Sequence, residues 1–236
     1  MDDSDHRGGG RAPPALRAAG FGAAAAALLL LVSRLVERWP FAFDRAAMLS
    51  LRTPGDLARP RGPGWLLPFM RDVTALGDGS VLTLVVAGVA GLMLVRRMAW
   101  TALLVILSSV TGGLVVAFAK ATVARGRPAV VPHLAEVHNL SFPSGHAANS
   151  AIVYLTLAAL GARAVGERAV RNYLVACAVL LVGLIGTSRV FLGVHYPSDV
   201  LAGWSFGTLW ALAWWELGRG STRKYTPKAP DLIAND

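Results

Sequence analysis

Cysteine is almost absent from this 236-residue sequence, with Cys177 standing alone inside an apolar run. A single thiol excludes an intrachain disulfide framework and a Cys-based metal site within one chain, so packing is its expected role. Charge is also scarce, at 16% of residues, and acid is scarcer than base: 14 Asp and Glu face 23 Lys and Arg, a net charge of +9. The basic residues fall in ones and twos between apolar runs and form no continuous stripe, which argues against nucleic acid as a partner. The first apolar run is followed by no convincing small-residue cleavage site, and it reads as a retained helix rather than a removed signal peptide.

Apolar residues are what the chain has in abundance, at 54% of the total. That is too oily for an ordinary soluble domain of this length and points to an integral membrane protein. A first spanning helix is expected from the 16 uncharged residues between Arg17 and Arg34, extended by Leu35 and Val36. Further spans are expected at 80–95, 98–119, 147–162, 172–188 and 200–215. The expected fold is thus all-α, a bundle of six transmembrane helices over 15–218. A disordered cytoplasmic tail (1–14) precedes it and a basic cytoplasmic tail (219–236) follows. Several of these runs are shorter than the roughly 20 residues a span needs, and snorkelling Arg side chains can make up the difference.

Residues 37–79 read differently. Trp39, Pro40, Phe41 and Phe43 are followed by a Pro- and Gly-rich stretch carrying several Arg, a mixture suited to the membrane interface. One or two short amphipathic helices are expected there. Six spans put both termini on one side, where the connecting segments hold Arg96, Arg97, Arg163, Arg168 and Arg171. The positive-inside rule makes that side cytoplasmic.

Ser188–Asp199 interrupts two apolar runs with Arg189, His195 and Asp199 at once. Ionisable groups at a membrane boundary suggest function. A neutral imidazole can attack phosphorus, a carboxylate four residues on can fix its tautomer, and an Arg offers a planar fork for phosphate oxygens. The alternative is that these are snorkelling charges at two helix ends. The topology favours function, because it places Lys120, His146, Arg189 and Asp199 on the same, extracytoplasmic face. No cluster of His or carboxylates with metal-ligand spacing occurs outside this set, so no metal and no cofactor are expected.

Lys120-x6-Arg127-Pro128, Pro143-Ser144-Gly145-His146 and Ser188-Arg189-x5-His195-x3-Asp199 follow one another in that order. Together they resemble the three signature motifs of the type 2 phosphatidic acid phosphatase superfamily, which also includes the vanadium haloperoxidases. The resemblance implies His195 as nucleophile, Asp199 as the carboxylate orienting it, and His146 as general acid and then base. Lys120, Arg127, Ser144, Gly145 and Arg189 would hold the phosphate oxygens. It also implies a phosphohistidine intermediate and a metal-independent reaction.

Among the remaining candidates, His6, His133 and His138 read as solvated. Arg125 competes with Arg127 for phosphate but lacks the motif spacing. Trp214 and Trp215 suit an interfacial belt. Gly203-x3-Gly207 allows close helix packing, within the bundle or in a homodimer. The functional expectation is a membrane hydrolase removing a phosphomonoester from a lipid of the phosphatidic acid or phosphatidylglycerol phosphate class. Polyprenyl diphosphate, with extra charge supplied by Arg125 and the 37–79 segment, is the alternative substrate, and a phosphotransferase the alternative reaction.

Overall fold

A computed structural model describes residues 12–38, 41–137 and 140–222. The chain is mostly helical, with α1 (Pro14–Arg38), α2 (Ala42–Ser50), α3 (Leu66–Ala75), α4 (Gly79–Val95), α5 (Ala99–Val123), α6 (Gly145–Ser150), α7 (Thr156–Ala164), α8 (Arg168–Phe191) and α9 (Pro197–Thr222). Local signals explain several boundaries. Pro14 and Pro197 open α1 and α9, where a missing N–H costs nothing. Asp78 caps α4 by accepting from the Ser80 amide. Ala124 ends α5 in a left-handed conformation and returns its N–H to the Lys120 carbonyl.

Three described helices are long and apolar enough to cross a membrane: Pro14–Val36, Ala99–Val123 and Arg168–Phe191. Leu66–Ala75 and Gly79–Val95 form a fourth span only if taken as one element bent by 50°. The expected run 147–162 is helical but divided: a π-helical turn, Ala151–Leu155, separates α6 from α7. In the sixth expected run, α9, Trp, Gly and Ser dilute the aliphatic residues. His6, Trp39, Pro40, His138 and nearly all of both expected tails (1–11 and 223–236) lie outside the described residues.

The interfacial segment corrects the all-α expectation. Between α2 and α3 lies a two-stranded antiparallel hairpin, β1 (Arg52–Thr53) and β2 (Asp56–Pro60). Its Pro54-Gly55 corner, with Gly55 at φ +85°, is the pairing a type II turn requires. The segment is also less superficial than its composition suggests. Asp44, Met48 and Arg52 are all 2% exposed or less, and an Arg52 Nη1–H reaches the Phe191 carbonyl at 2.9 Å. Leu51, α3 and the loop residues Leu134, Ala135 and Val137 cover a small apolar cluster of Phe191, Leu192 and Val194.

The larger core joins α1, α5, α6, the π-helical turn and α9 through Leu29, Val116, Phe142, Ile152 and Phe206. Helix α1 lies along α9. Two indole N–H groups tie α9 to its neighbours: Trp210 donates to the Ser108 carbonyl of α5 and Trp204 to the Val182 carbonyl of α8, each at 3.0 Å. Gly203 and Gly207 face this chain's own backbone. A Cβ on Gly203 would stand 2.8 Å from the Ser144 carbonyl, and one on Gly207 would stand 2.6 Å from that of Ala148. The glycine pair therefore serves the bundle, bringing the start of α9 against the start of α6.

Candidate active site

The close approach of α6 and α9 brings the second and third motifs together. Pro197 starts α9 immediately after the loop 192–196, so Asp199 falls in the first turn and points back at His195. His195 Nδ1 lies 3.5 Å from Asp199 Oδ2, and both side chains are buried, at 2% and 0% exposure. The same Oδ2 accepts the Ser141 hydroxyl at 2.5 Å and the Tyr196 amide at 3.0 Å. A carboxylate held by several donors keeps its orientation and its charge. The other ring nitrogen, His195 Nε2, faces Arg127 Nη1 at 3.3 Å. Burial pushes the His195 imidazole down to about 4, with the Asp199 carboxylate partly offsetting this. His195 is accordingly neutral at physiological pH.

Three cations approach from three elements. Lys120, near the end of α5, donates from Nζ to the Leu140 carbonyl at 2.8 Å. Arg127, in the following loop, donates to the Val194 carbonyl at 2.6 Å. Arg189, in the last turn of α8, is aimed by the Thr74 hydroxyl of α3 at 2.8 Å. All three, with Gly145, His146 and His195, line one cavity of about 660 Å³. The Ser144 hydroxyl is buried and makes no hydrogen bond among the described residues. The structure thus brings Lys120, Arg127, Gly145, His146, Arg189 and His195 to one cavity, with Asp199 against His195, while Ser144 does not line it.

One wall of the cavity is the elbow between α3 and α4, from Thr74 to Val81. Gly77 sits in this elbow because a Cβ there would lie 2.5 Å from Ile185 and 3.2 Å from the His146 ring. The Tyr154 hydroxyl holds the elbow by donating to the Leu76 carbonyl at 2.7 Å. Asp78 and Asn149 also line the cavity, and neither stood out in the sequence. Asn149 carried a weak signal, lying one helical turn beyond His146 on the same face.

Arg125 departs from expectation. It does not line the cavity and supplies no charge there for a second phosphate. Its Nη1 lies 2.5 Å from Asp199 Oδ1 and its Nη2 3.3 Å from Asp44 Oδ2, while its guanidinium stacks on the Tyr196 ring at 4.1 Å. Arg125 therefore braces the Asp199 carboxylate from behind. Of the described Arg side chains of the 37–79 segment, Arg45, Arg52, Arg59, Arg61 and Arg71, none lines the cavity either. Asp44 and Ser141 were not singled out, because their side-chain partners are 54 or more residues away in sequence. His133 stays within its loop, bonded to the Pro128 carbonyl at 2.8 Å. Among the described residues no group of three His, Cys, Asp or Glu could hold a metal ion.

The description of the PAP2 superfamily matches residues 98–223. Phosphatidylglycerophosphatase B of Bacillus subtilis strain 168 is 34% identical over 148 residues, covering 61% of this chain and 71% of that protein. A lipid A 1-phosphatase of Rhizobium johnstonii is 40% identical over 72 residues, 30% of this chain but only 25% of that protein. Among solved structures, a transmembrane PAP2-type phosphatidylglycerolphosphate phosphatase from Bacillus subtilis superposes with a TM-score of 0.71 at 28% identity, covering 87% of this chain and 98% of that one. Aquifex aeolicus LpxE superposes with a TM-score of 0.51 at 27% identity, covering 67% and 89%. The matched stretch contains every motif residue lining the cavity, and the chain belongs to the PAP2 superfamily and is a membrane phosphatase.

Proposed function

We propose that this phosphatase removes a terminal phosphomonoester from a lipid of the phosphatidylglycerol phosphate or phosphatidic acid class, through a phosphohistidine on His195. The observation that carries the reading is the pairing of the two nitrogens of His195: Nδ1 faces Asp199 and Nε2 faces the cavity beside Arg127. With its Nδ1 proton on the Asp199 side, the imidazole presents the Nε2 lone pair to phosphorus.

In the first step an Nε2–P bond forms and the bond from phosphorus to the lipid oxygen breaks, with His146 giving its proton to that oxygen. In the second step neutral His146 takes a proton from water, the water oxygen bonds to phosphorus, and the N–P bond breaks to release inorganic phosphate. Lys120, Arg127 and Arg189, with the Ser144 hydroxyl and the Gly145 amide, hold the phosphoryl oxygens and stabilise the charge of the transition state. Three fixed cations supply the positive charge, and the reaction needs no metal.

The monophosphate is preferred to a diphosphate because Arg125 is engaged by Asp199 and Asp44 and the cavity wall adds Asp78 and Glu136. A second phosphate would meet carboxylates there. The phosphatidylglycerophosphate named for two of the similar proteins fits the same preference. We place six spans in the membrane, both termini and the Arg163–Arg171 region in the cytoplasm, and the cavity at the extracytoplasmic face, where a head group can enter while the acyl chains stay in the bilayer.

The test is phosphate release by the purified protein in detergent with excess EDTA. Phosphatidylglycerol phosphate, phosphatidic acid and undecaprenyl diphosphate are supplied in parallel, each with and without an added alcohol. The reading expects release from a monophosphate lipid, resistant to EDTA and unaltered by the alcohol. Loss to EDTA, faster turnover of the diphosphate, or transfer to the alcohol would each contradict part of it.

A further inference from the structure

Asp44 is a buried acid that this mechanism leaves unused. It lies in the first turn of the interfacial helix α2 and is 2% exposed. Its Oδ1 accepts the Ser198 amide at 2.8 Å and its Oδ2 the Ser198 hydroxyl at 2.6 Å. Oδ2 also faces Arg125 Nη2 at 3.3 Å, while Nη1 of the same guanidinium reaches Asp199 Oδ1 at 2.5 Å and Ser198 Oγ at 2.9 Å. One guanidinium thus lies between two buried carboxylates, and Ser198, at the start of α9, bridges it to Asp44.

The charge balance is informative. Two carboxylates and one guanidinium sum to −1 on the Asp199 side of His195, opposite the Arg127 guanidinium that faces Nε2. Phosphorylation at Nε2 with Nδ1 still protonated places a positive charge on the ring, and the Asp199 carboxylate at Nδ1 offsets it. If Asp44 were neutral, the Arg125 guanidinium would be left to Asp199 alone and would draw more on its charge. The geometry works in the same direction. Without Asp44, Arg125 loses the partner that holds its far side, and the Ser198 hydroxyl loses its acceptor.

We infer that Asp44 is a positioning residue for the phosphotransfer step, acting through Arg125 and Ser198 to hold the Asp199 carboxylate against His195 Nδ1. Helix α2 is on this reading part of the reaction machinery as well as an interfacial element. The inference rests on His195 as nucleophile and Asp199 as its orienting carboxylate.

The test uses the full-length protein in detergent with phosphatidic acid, comparing Asp44→Asn, Arg125→Gln, the double variant and His195→Ala. Asp44→Asn is expected to lower kcat by about 10- to 100-fold, the scale seen when a group orienting a reactive residue is lost. KM should change little, because Asp44 touches none of Lys120, Arg127 and Arg189. In the Arg125→Gln background the further loss should fall below about 2-fold, since residues in one network are not additive. If Asp44→Asn lacks a cooperative thermal transition, Ser198→Ala decides. It removes one bridging hydroxyl without unpairing a charge and should lower kcat by about 3- to 10-fold. Unchanged kcat, a rise in KM alone, or additive losses would overturn the inference. Activity in His195→Ala would instead overturn the nucleophile on which it rests. An inactive His195→Ala beside a fully active Asp44→Asn would overturn only the role of Asp44.

Discussion

Asp199 Oδ2 lies 3.5 Å from His195 Nδ1, one helical turn apart in sequence, while Asp199 Oδ1 is occupied by Arg125. The carboxylate is divided, one oxygen for the imidazole and one for the guanidinium, so it can neither rotate away nor lose its charge cheaply. Asp199→Asn keeps the shape but turns one oxygen into an N–H₂ donor that either His195 or Arg125 must reject. Loss of an orienting carboxylate of this kind costs about 10³- to 10⁴-fold in kcat. Steady-state phosphate release with the variant checks this; a loss smaller than about 10-fold would show that Asp199 does not orient the nucleophile.

Acid should destabilise the fold through His195. Folded, its imidazole is held down at about 4 by burial, against about 6.5 for an exposed imidazole. As pH falls through the unfolded value, the unfolded chain takes up a proton that the folded chain refuses. Stability is therefore full above about pH 6.5 and is lost as pH falls towards 4, by about 3 kcal/mol in total. Thermal melts at pH 7.5 and 4.5 should show a larger drop for the native sequence than for His195→Gln. Equal drops would contradict a buried neutral imidazole.

The contact between α9 and α6 leaves no room for a methyl group at Gly207. A Cβ there would stand 2.6 Å from both the Ala148 carbonyl and the Ala151 Cβ. Gly207→Ala is expected to destabilise the protein by about 1–3 kcal/mol through overpacking. It should also lower activity, since α6 carries His146 and α9 carries Asp199. Melting temperature and turnover measured on the same preparation test both effects.

Thr74 lies 115 residues from Arg189 in sequence yet aims its guanidinium into the cavity. Thr74→Val keeps the volume and removes the acceptor. A hydrogen bond to a charged group supports a fall of about 10-fold in kcat/KM for the lipid phosphate. Unchanged kcat/KM would mean that Arg189 is positioned without Thr74.

Membrane orientation is open to direct labelling. In a Cys177→Ser background, a cysteine at Ala58 in the exposed hairpin should react with an impermeant thiol reagent on intact cells. One at Glu167, in the loop between α7 and α8, should react only after the cells are opened. The reverse pattern would place the cavity in the cytoplasm.

Much of the site was legible in the sequence because its residues interrupt apolar runs. A Lys, two Arg, two His and an Asp at helix ends and in the adjoining loops stand out against 54% apolar residues. What supports them was not legible. Ser141, Thr74 and Asp44 are ordinary loop and helix residues whose side-chain partners are 54 to 154 positions away, and such pairings leave no periodic signal. Arg125 stood out for its charge and was set behind Arg127 for lack of the motif spacing, but its place behind Asp199 was not legible, because only the fold shows which way a guanidinium faces. The hairpin at Thr53-Pro54-Gly55-Asp56 had its turn chemistry in plain view. The strands on either side are too short to alternate, and the Arg-rich composition pointed to helix instead. The divided run at 145–164 was invisible for a different reason: a π-helical turn keeps the apolar composition and changes only the hydrogen-bond register.

The central claim is that phosphate passes through His195. The direct measurement is brief reaction with ³²P-labelled phosphatidic acid, an alkaline quench that preserves phosphohistidine, and location of the label by peptide mapping. The label should reach the native protein on the peptide holding His195. It should vanish in His195→Ala, and in His146→Ala the label that forms should decay more slowly than in the native protein, because the water-activating base is missing. Label at full level in His195→Ala, or turnover without any labelled protein in either active form, would contradict the mechanism.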